Sequence, residues 1–243
     1  MKFFNVVLPF LLAIPLAVAS PIPLTYKVEA NFDKMKHTFI ESLKTILDEE
    51  YIPAMMSALD HPTNPKADTA LKLAFGRDYK TEIPTIKANV EKFKNYEATI
   101  GQITEPFYDV AGYHPEKKEI WLTSEFFKFH GGKEPKTPQD FKALAREAAP
   151  TMIHELSHAA FGTVDLFQRS DFKPTTAAAK KASPHDDGYY KGFEDLQKHY
   201  KQIRAHGAAT QVQSAEAYLV FAHVSLLGDV DLTPFMPRAL WAL

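Results

Sequence analysis

The sequence predicts an α+β domain, mainly helical with a small antiparallel sheet. Two observations predict it. Apolar residues recur at helical spacing over several long stretches, and one short central stretch switches to alternating and β-branched residues. Proline and glycine punctuate the joins between them. The 243 residues suit one medium-sized domain able to bury a substantial core.

The elements follow in order. Phe32, Met35, Phe39, Leu43, Ile46 and Leu47 keep helical spacing with charges between them, which predicts a long amphipathic helix. It is expected to close before Pro53, because the residue ahead of a proline resists helical geometry. His61 to Lys66, with two prolines and an Asn, reads as a loop. Ile86, Val90 and Phe93 after Pro84 predict a second helix, and Tyr96 to Val110 has strand character. Tyr113 to Lys118 reads as a turn feeding a strand at Ile120 to Thr123. Thr137-Pro138 is an N-cap and first helical position, and Phe141, Leu144 and Ala148 form one helical face. Pro150 is expected to interrupt that face and begin a separate helix ending at Gly162, a residue suited to a left-handed cap. Asp165 to Gly188 reads as an irregular loop. Two further helices are marked by Phe193, Leu196 and Tyr200, and by Ala215, Tyr218, Leu219 and Ala222.

Residues 1–19 carry Lys2, an apolar run, and the small-x-small pattern Ala17-Val18-Ala19, as a secretory signal peptide does. Cleavage there leaves residues 20–243 as a single secreted, extracellular domain. The apolar run is shorter than a bilayer-spanning helix needs and holds Pro9 and Pro15, so no membrane association is expected after cleavage. A formal charge of −2 without a dense basic run excludes a phosphate backbone as a partner, so no nucleic acid is expected. A monomer acting on protein or peptide substrates is the expectation. There is no cysteine, so any metal must be held by His, Asp and Glu.

His154-Glu155-Leu156-Ser157-His158 carries the chemistry. Residues four apart on a helix face the same way, so His154 and His158 can direct ring nitrogens at one ion. Glu155 sits beside the first ligand, where its carboxylate can take a proton from a zinc-bound water and pass it to a leaving amine. Apolar Met152, Ile153 and Leu156 dock that helix on a core. A catalytic zinc usually takes three protein ligands and one open position. The nearest third ligand is Asp165, just past the turn that Gly162 permits; a distant Glu, Glu194 or Glu216, is the alternative.

His154-Glu155-Leu156-Ser157-His158 followed by Gly162-Thr163-Val164-Asp165 resembles the aspzincin signature of deuterolysins and fungal peptidyl-Lys metalloendopeptidases. Ile120 to Phe127 upstream and Ser214 to Ala222 downstream agree with that family in order and spacing, and the similarity spans roughly residues 30 to 225. The resemblance implies a zincin-like fold whose active-site helix bears the two histidines. It implies Zn2+ held by His154, His158 and Asp165, with Glu155 as base and acid. The chain also departs from the family. Thr123 stands where a cysteine is usual, and Asp165 is not followed by the Tyr-Gly that supplies the family's oxyanion tyrosine. Tyr190, or its neighbour Tyr189, is the replacement, because Asp187 to Tyr190 repeats the family's Asp-x-x-Tyr spacing. By the same token Asp187 rivals Asp165 as third ligand. The segment credited with binding a substrate lysine keeps Glu216 as its substrate-binding carboxylate, but has Leu219 where a second acid is usual.

Two functions follow as expectations: a secreted zinc metalloendopeptidase, or a secreted zinc-holding binding protein or effector with little proteolysis. His185 beside Asp186 and Asp187 reads as a solvated loop, and the isolated histidines as structural or surface residues.

Overall fold

A computed structural model describes residues 34–102, 111–128, 133–168, 173–174, 177, 180 and 208–228. The expected signal peptide, the Phe193 to Tyr200 helix, Asp187, Tyr189, Tyr190 and Glu194 lie outside the described residues. The described chain is mostly helical, with a small mixed three-stranded sheet.

Helix α1 (Lys34–Ile46) buries Phe39, Leu43 and Ile46 as the spacing predicted, and Ile40 with them, whereas Met35, expected on the same face, is exposed. The helical path does not close before Pro53. It passes through one π turn (Leu47–Tyr51) into α2 (Ile52–Asp60). The Ile52 N–H bonds back five residues to the Leu47 carbonyl, and Ile52 keeps right-handed dihedrals (φ −67°, ψ −42°). The widened turn puts Pro53 in the first turn of a new α segment, where a missing N–H is tolerated. Burial of Tyr51, Ile52 and Met55 holds the chain on that path.

Helix α3 (Pro65–Phe75) starts inside the stretch read as a loop. The Asn64 side chain caps it, accepting from the Lys66 N–H at 3.0 Å, and Pro65 occupies the first turn. Its buried face is largely alanine (Ala67, Ala70, Ala74), which gives a faint hydrophobic signal. Helix α4 (Ile83–Phe93) buries Ile86, Val90 and Phe93 as expected.

Strands β1 (Thr99–Gln102), β2 (Ala111–His114) and β3 (Glu119–Leu122) form a sheet in the order β1-β3-β2. The expected antiparallel sheet is half right. The β2–β3 hairpin is antiparallel, but β1 pairs with β3 in parallel, Ile100 opposite Ile120. Alternation of side chains reveals which face of a strand is buried and is silent on strand direction. The placement of β1 beyond β3 therefore had to come from tertiary packing. Tyr113 and His114, expected in the turn, belong to β2.

Helix α5 (Pro138–Phe161) runs unbroken for 24 residues, against the expectation of a break at Pro150. Thr137 caps it reciprocally: its hydroxyl accepts from the Asp140 N–H at 3.1 Å, and the Asp140 carboxylate accepts from the Thr137 N–H at 2.9 Å. Pro150 cannot supply the N–H that the Arg146 carbonyl would receive. The Tyr51 hydroxyl donates to that carbonyl instead, at 3.1 Å. Outside the helix, Arg146 forks onto Glu50 at 2.6 and 2.9 Å, tying α5 to the π turn.

A short pair, β4 (Phe167–Gln168) and β5 (Lys173–Pro174), lies within the segment expected to be irregular. After the short α6 (Ala208–Gln211), α7 (Ala215–Leu227) is buried from Ala215 to Ser225 on every side, as a helix with apolar residues on all faces should be, and takes Glu216, His223 and Ser225 in with them. It packs on α2, α3 and α5, while α5 also contacts α1 and β2. An aromatic cluster of Phe75, Phe93, Phe161, Tyr218 and Phe221 joins α3, α4, α5 and α7 through edge-on and tilted contacts. No helix among the described residues is long and apolar enough to cross a membrane.

Candidate metal centre

The C-terminal half of α5 presents His154 and His158 one turn apart on one face, with Met152, Ile153 and Leu156 buried in the core. The helix stops at Gly162, whose φ of +74° and ψ of +36° are left-handed, and its N–H bonds to the His158 carbonyl. The chain then reverses and brings Asp165 back over the two histidines.

Two sets of bonds fix the returning loop. On the α5 side, the buried Ser157 hydroxyl donates to the His154 carbonyl at 2.7 Å and meets the Thr163 hydroxyl at 2.6 Å. The Nδ1–H of His158 donates to the Thr163 carbonyl at 2.8 Å. On the α7 side, Val164 pairs with the residues before the helix: its N–H donates to the Gln213 carbonyl at 2.9 Å, and its carbonyl accepts from the Ala215 N–H at 3.2 Å.

The result is a tight triangle of ligand atoms. His154 Nε2 lies 3.0 Å from Asp165 Oδ1, His158 Nε2 lies 3.2 Å from the same oxygen, and the two Nε2 atoms are 3.2 Å apart. The His158 proton is committed to Thr163 at Nδ1, so a neutral His158 turns a lone pair inward at Nε2. Three electron-rich atoms at such distances call for a positive charge among them. A proton shared with Asp165 is one such charge. Burial opposes protonation of His154, but the hydrogen bond and charge of Asp165 outweigh it and push the imidazole up to about 10. Burial likewise opposes ionisation of Asp165, yet hydrogen bonds from His154 and His158 hold its carboxyl well below the usual range.

A metal fits the same place. A tetrahedral ion about 2.0–2.1 Å from each N or O ligand sets those ligands about 3.3–3.4 Å apart, close to the separations found here. His154, His158 and Asp165 can therefore hold a metal ion with modest adjustment. The Asp165 side chain is half-exposed, which leaves a side of the triangle open to solvent.

Glu155 points into the interior beside this triangle, 6 % exposed, with Oε1 3.9 Å from His154 Nε2. Burial pushes its carboxyl up, while the two histidines and the backbone N–H of Tyr113 on β2 favour the charged form. The sheet thus meets the site through a main-chain donor.

Glu216 lies below the surface. Expected to meet substrate, it is 3 % exposed inside the first turn of α7. Its Oε1 accepts from the Leu166 N–H at 3.1 Å and its Oε2 from the Ser214 hydroxyl at 2.6 Å. The same bonds take it out of contention as the third ligand. Leu219 is buried as well, 7 % exposed. The rival ligands Asp187 and Glu194, and the oxyanion candidates Tyr189 and Tyr190, lie outside the described residues.

The sequence reading missed Ser157, Thr163 and Tyr113 as site residues. Ser157 and Thr163 stand inside the two short motifs, so their spacing was a usable signal. Tyr113 contributes only its backbone, and a main-chain donor leaves no mark in a sequence. No protein-family model matches the chain, and a search of the curated proteins finds no match.

Proposed function

We propose that the chain is a secreted, zinc-dependent metalloendopeptidase of the aspzincin kind, with a zincin-like fold, that hydrolyses peptide bonds in extracellular proteins. The observation that carries this reading is the convergence of His154 Nε2, His158 Nε2 and Asp165 Oδ1 within 3.2 Å, with the buried carboxylate of Glu155 beside them. The signal-peptide pattern of residues 1–19 supports export.

His154, His158 and Asp165 hold the zinc. When bound, the ion supplies Lewis acidity that acidifies water and polarises the scissile carbonyl. Glu155 is the general base and then the general acid. Burial raises its carboxyl above the ordinary carboxylate value, which favours return of the proton to the departing amine. The Tyr113 N–H holds that carboxylate in place. Ser157 and Thr163 keep the ligand loop and the His158 ring oriented. Tyr190, or Tyr189, is the proposed donor to the tetrahedral oxyanion. With Glu216 bound to the loop and Leu219 in the core, this segment has no free carboxylate for a substrate lysine, so the enzyme is proposed to lack lysine selectivity.

The test is cleavage of a denatured protein by the zinc-loaded chain. Wild type is expected to cleave and to stop when a chelator removes the metal. Glu155→Gln is expected to retain zinc and lose at least about 100-fold in kcat, the usual contribution of a general base. Activity that survives in Glu155→Gln refutes the mechanism. Zinc binding without cleavage of a broad peptide library by the wild type favours the alternative, a secreted zinc-holding binding protein.

A further inference from the structure

We infer that Glu216 is a positioning residue for the metal centre, setting the affinity for zinc by holding Asp165 in the ligand triangle. The inference rests on the metal-centre reading above and assigns Glu216 a part in it other than meeting substrate.

Asp165 is the ligand least supported by its own element. His154 and His158 ride on α5, whereas Asp165 sits on a loop beyond the end of that helix, with its side chain half in solvent. Its main chain is tied on both flanks. On one flank, Val164 is bonded through both its N–H and its carbonyl to Gln213 and Ala215. On the other flank, the next residue is Leu166, and its N–H is taken by Glu216 Oε1 at 3.1 Å. All these anchors lie in one short stretch, Gln213 to Glu216, at the start of a helix that is buried along most of its length.

The chemistry of the contact favours a carboxylate. Two donors converge on the group, the Leu166 N–H and the Ser214 hydroxyl, and a carboxylate accepts both without a donor of its own to satisfy. Ser214 is in turn engaged at the helix start, accepting from the Ala217 N–H at 3.3 Å, so its hydroxyl proton is free to point at Glu216. Glu216 therefore couples the rigid end of α7 to the residue that follows the ligand. A Glu needed only to begin a helix would not be buried, nor bonded to a loop 50 positions away in sequence. The arrangement acts on the metal as outer-shell partners do, by fixing a ligand that would otherwise have to be ordered on binding.

The experiment measures zinc affinity by competition with a chromophoric chelator, Co2+ absorption as a report on ligand geometry, and exchange of the Leu166 amide proton in the metal-free chain. It compares wild type with Asp165→Ala, Glu216→Leu, Glu216→Gln and Ser214→Ala. Glu216→Leu fills the same space without acceptors. It is expected to weaken zinc by about 10–100-fold, to alter the cobalt spectrum and to speed Leu166 exchange. Glu216→Gln keeps one acceptor oxygen for Leu166 and is expected to recover most of the affinity. Should Glu216→Leu not fold, Ser214→Ala decides the matter by the same readouts, with a smaller loss of affinity and faster Leu166 exchange. Wild-type zinc affinity and an unchanged cobalt spectrum in Glu216→Leu, with Asp165→Ala defective, overturn the positioning role alone. Failure of the wild type itself to bind zinc overturns the metal centre and this role together.

Discussion

Loading the site with zinc should raise the thermal midpoint of the protein, and the structure allows the size of the rise to be worked out. The triangle of His154, His158 and Asp165 is already closed to 3.0–3.2 Å in the folded chain, whereas an unfolded chain presents no such site. Zinc at 100 times its dissociation constant then stabilises the native state by about 2.7 kcal/mol. For a chain of this length each kcal/mol moves the midpoint by about 2–4 °C, so the rise is about 5–11 °C. Asp165→Ala removes one of three ligands, which should weaken binding by at least about 100-fold, beyond the loss of an outer-shell partner. At the same zinc concentration the variant is only half saturated. Its gain falls to about 0.4 kcal/mol, a shift of about 1–2 °C. Differential scanning fluorimetry with graded zinc, and with chelator as the zero point, reads both numbers. A wild-type shift that persists undiminished in Asp165→Ala would falsify the assignment of Asp165 as a ligand and point to a different third donor.

Three further outcomes test the scaffold. Tyr51→Phe leaves the Arg146 carbonyl without its donor and should cost about 1 kcal/mol in urea unfolding. In a Pro150→Ala background, where an N–H is restored to the helix, that cost should fall by at least about 0.5 kcal/mol, and equal costs in both backgrounds would refute the compensation. Gly162→Ala places an L-residue at φ +74° with open space around the new Cβ, so the loss should be the backbone term alone, about 1–2 kcal/mol, and Gly162→Asn should lose less. Asp140 is held below its ordinary pKa by the Lys136 and Thr137 N–H groups, so its contribution is present above the unfolded carboxylate value and lost as pH falls through the lower folded one. The midpoint gap between wild type and Asp140→Ala should therefore be constant from neutral pH down to about 5 and close below about 4; a gap unchanged at about pH 2 would count against the capping box.

Much of the site was legible before any coordinates. Two imidazoles four positions apart, a carboxylate beside the first, and a glycine that ends the helix are all local, and local geometry is what spacing encodes. Asp165 was the natural third ligand because only two residues separate it from that glycine, and the structure brings it within reach of both histidines. The place of Glu216 was not legible in the same way. Its identity and position are compatible with either a surface charge or a buried tether, and nothing in the residues around it says which face of α7 the core will take, because apolar residues stand on every side of the helix. The fold shows the same division. Helical periodicity found α1, α4 and α7, but missed α3, whose buried face is mostly alanine. It also placed breaks at Pro53 and Pro150 that the chain does not make.

The two prolines mark the boundary between the levels. From sequence alone, proline removes a donor and disfavours the helical residue before it, and each of those costs is real. Whether the helix ends depends on what other parts of the chain supply: a π turn ahead of Pro53, and the Tyr51 hydroxyl from 95 positions away for the carbonyl that Pro150 leaves open. The sequence by itself determined the chemical inventory: His154, Glu155 and His158 on one helical turn, a left-handed stop at Gly162, and Asp165 in reach. Tertiary structure alone decided that α5 stays whole, that β1 joins the sheet in parallel, and that Glu216 binds the loop behind Asp165. Those outcomes depend on contacts between residues far apart in the chain, where the balance of burial and hydrogen bonding overrides local preference.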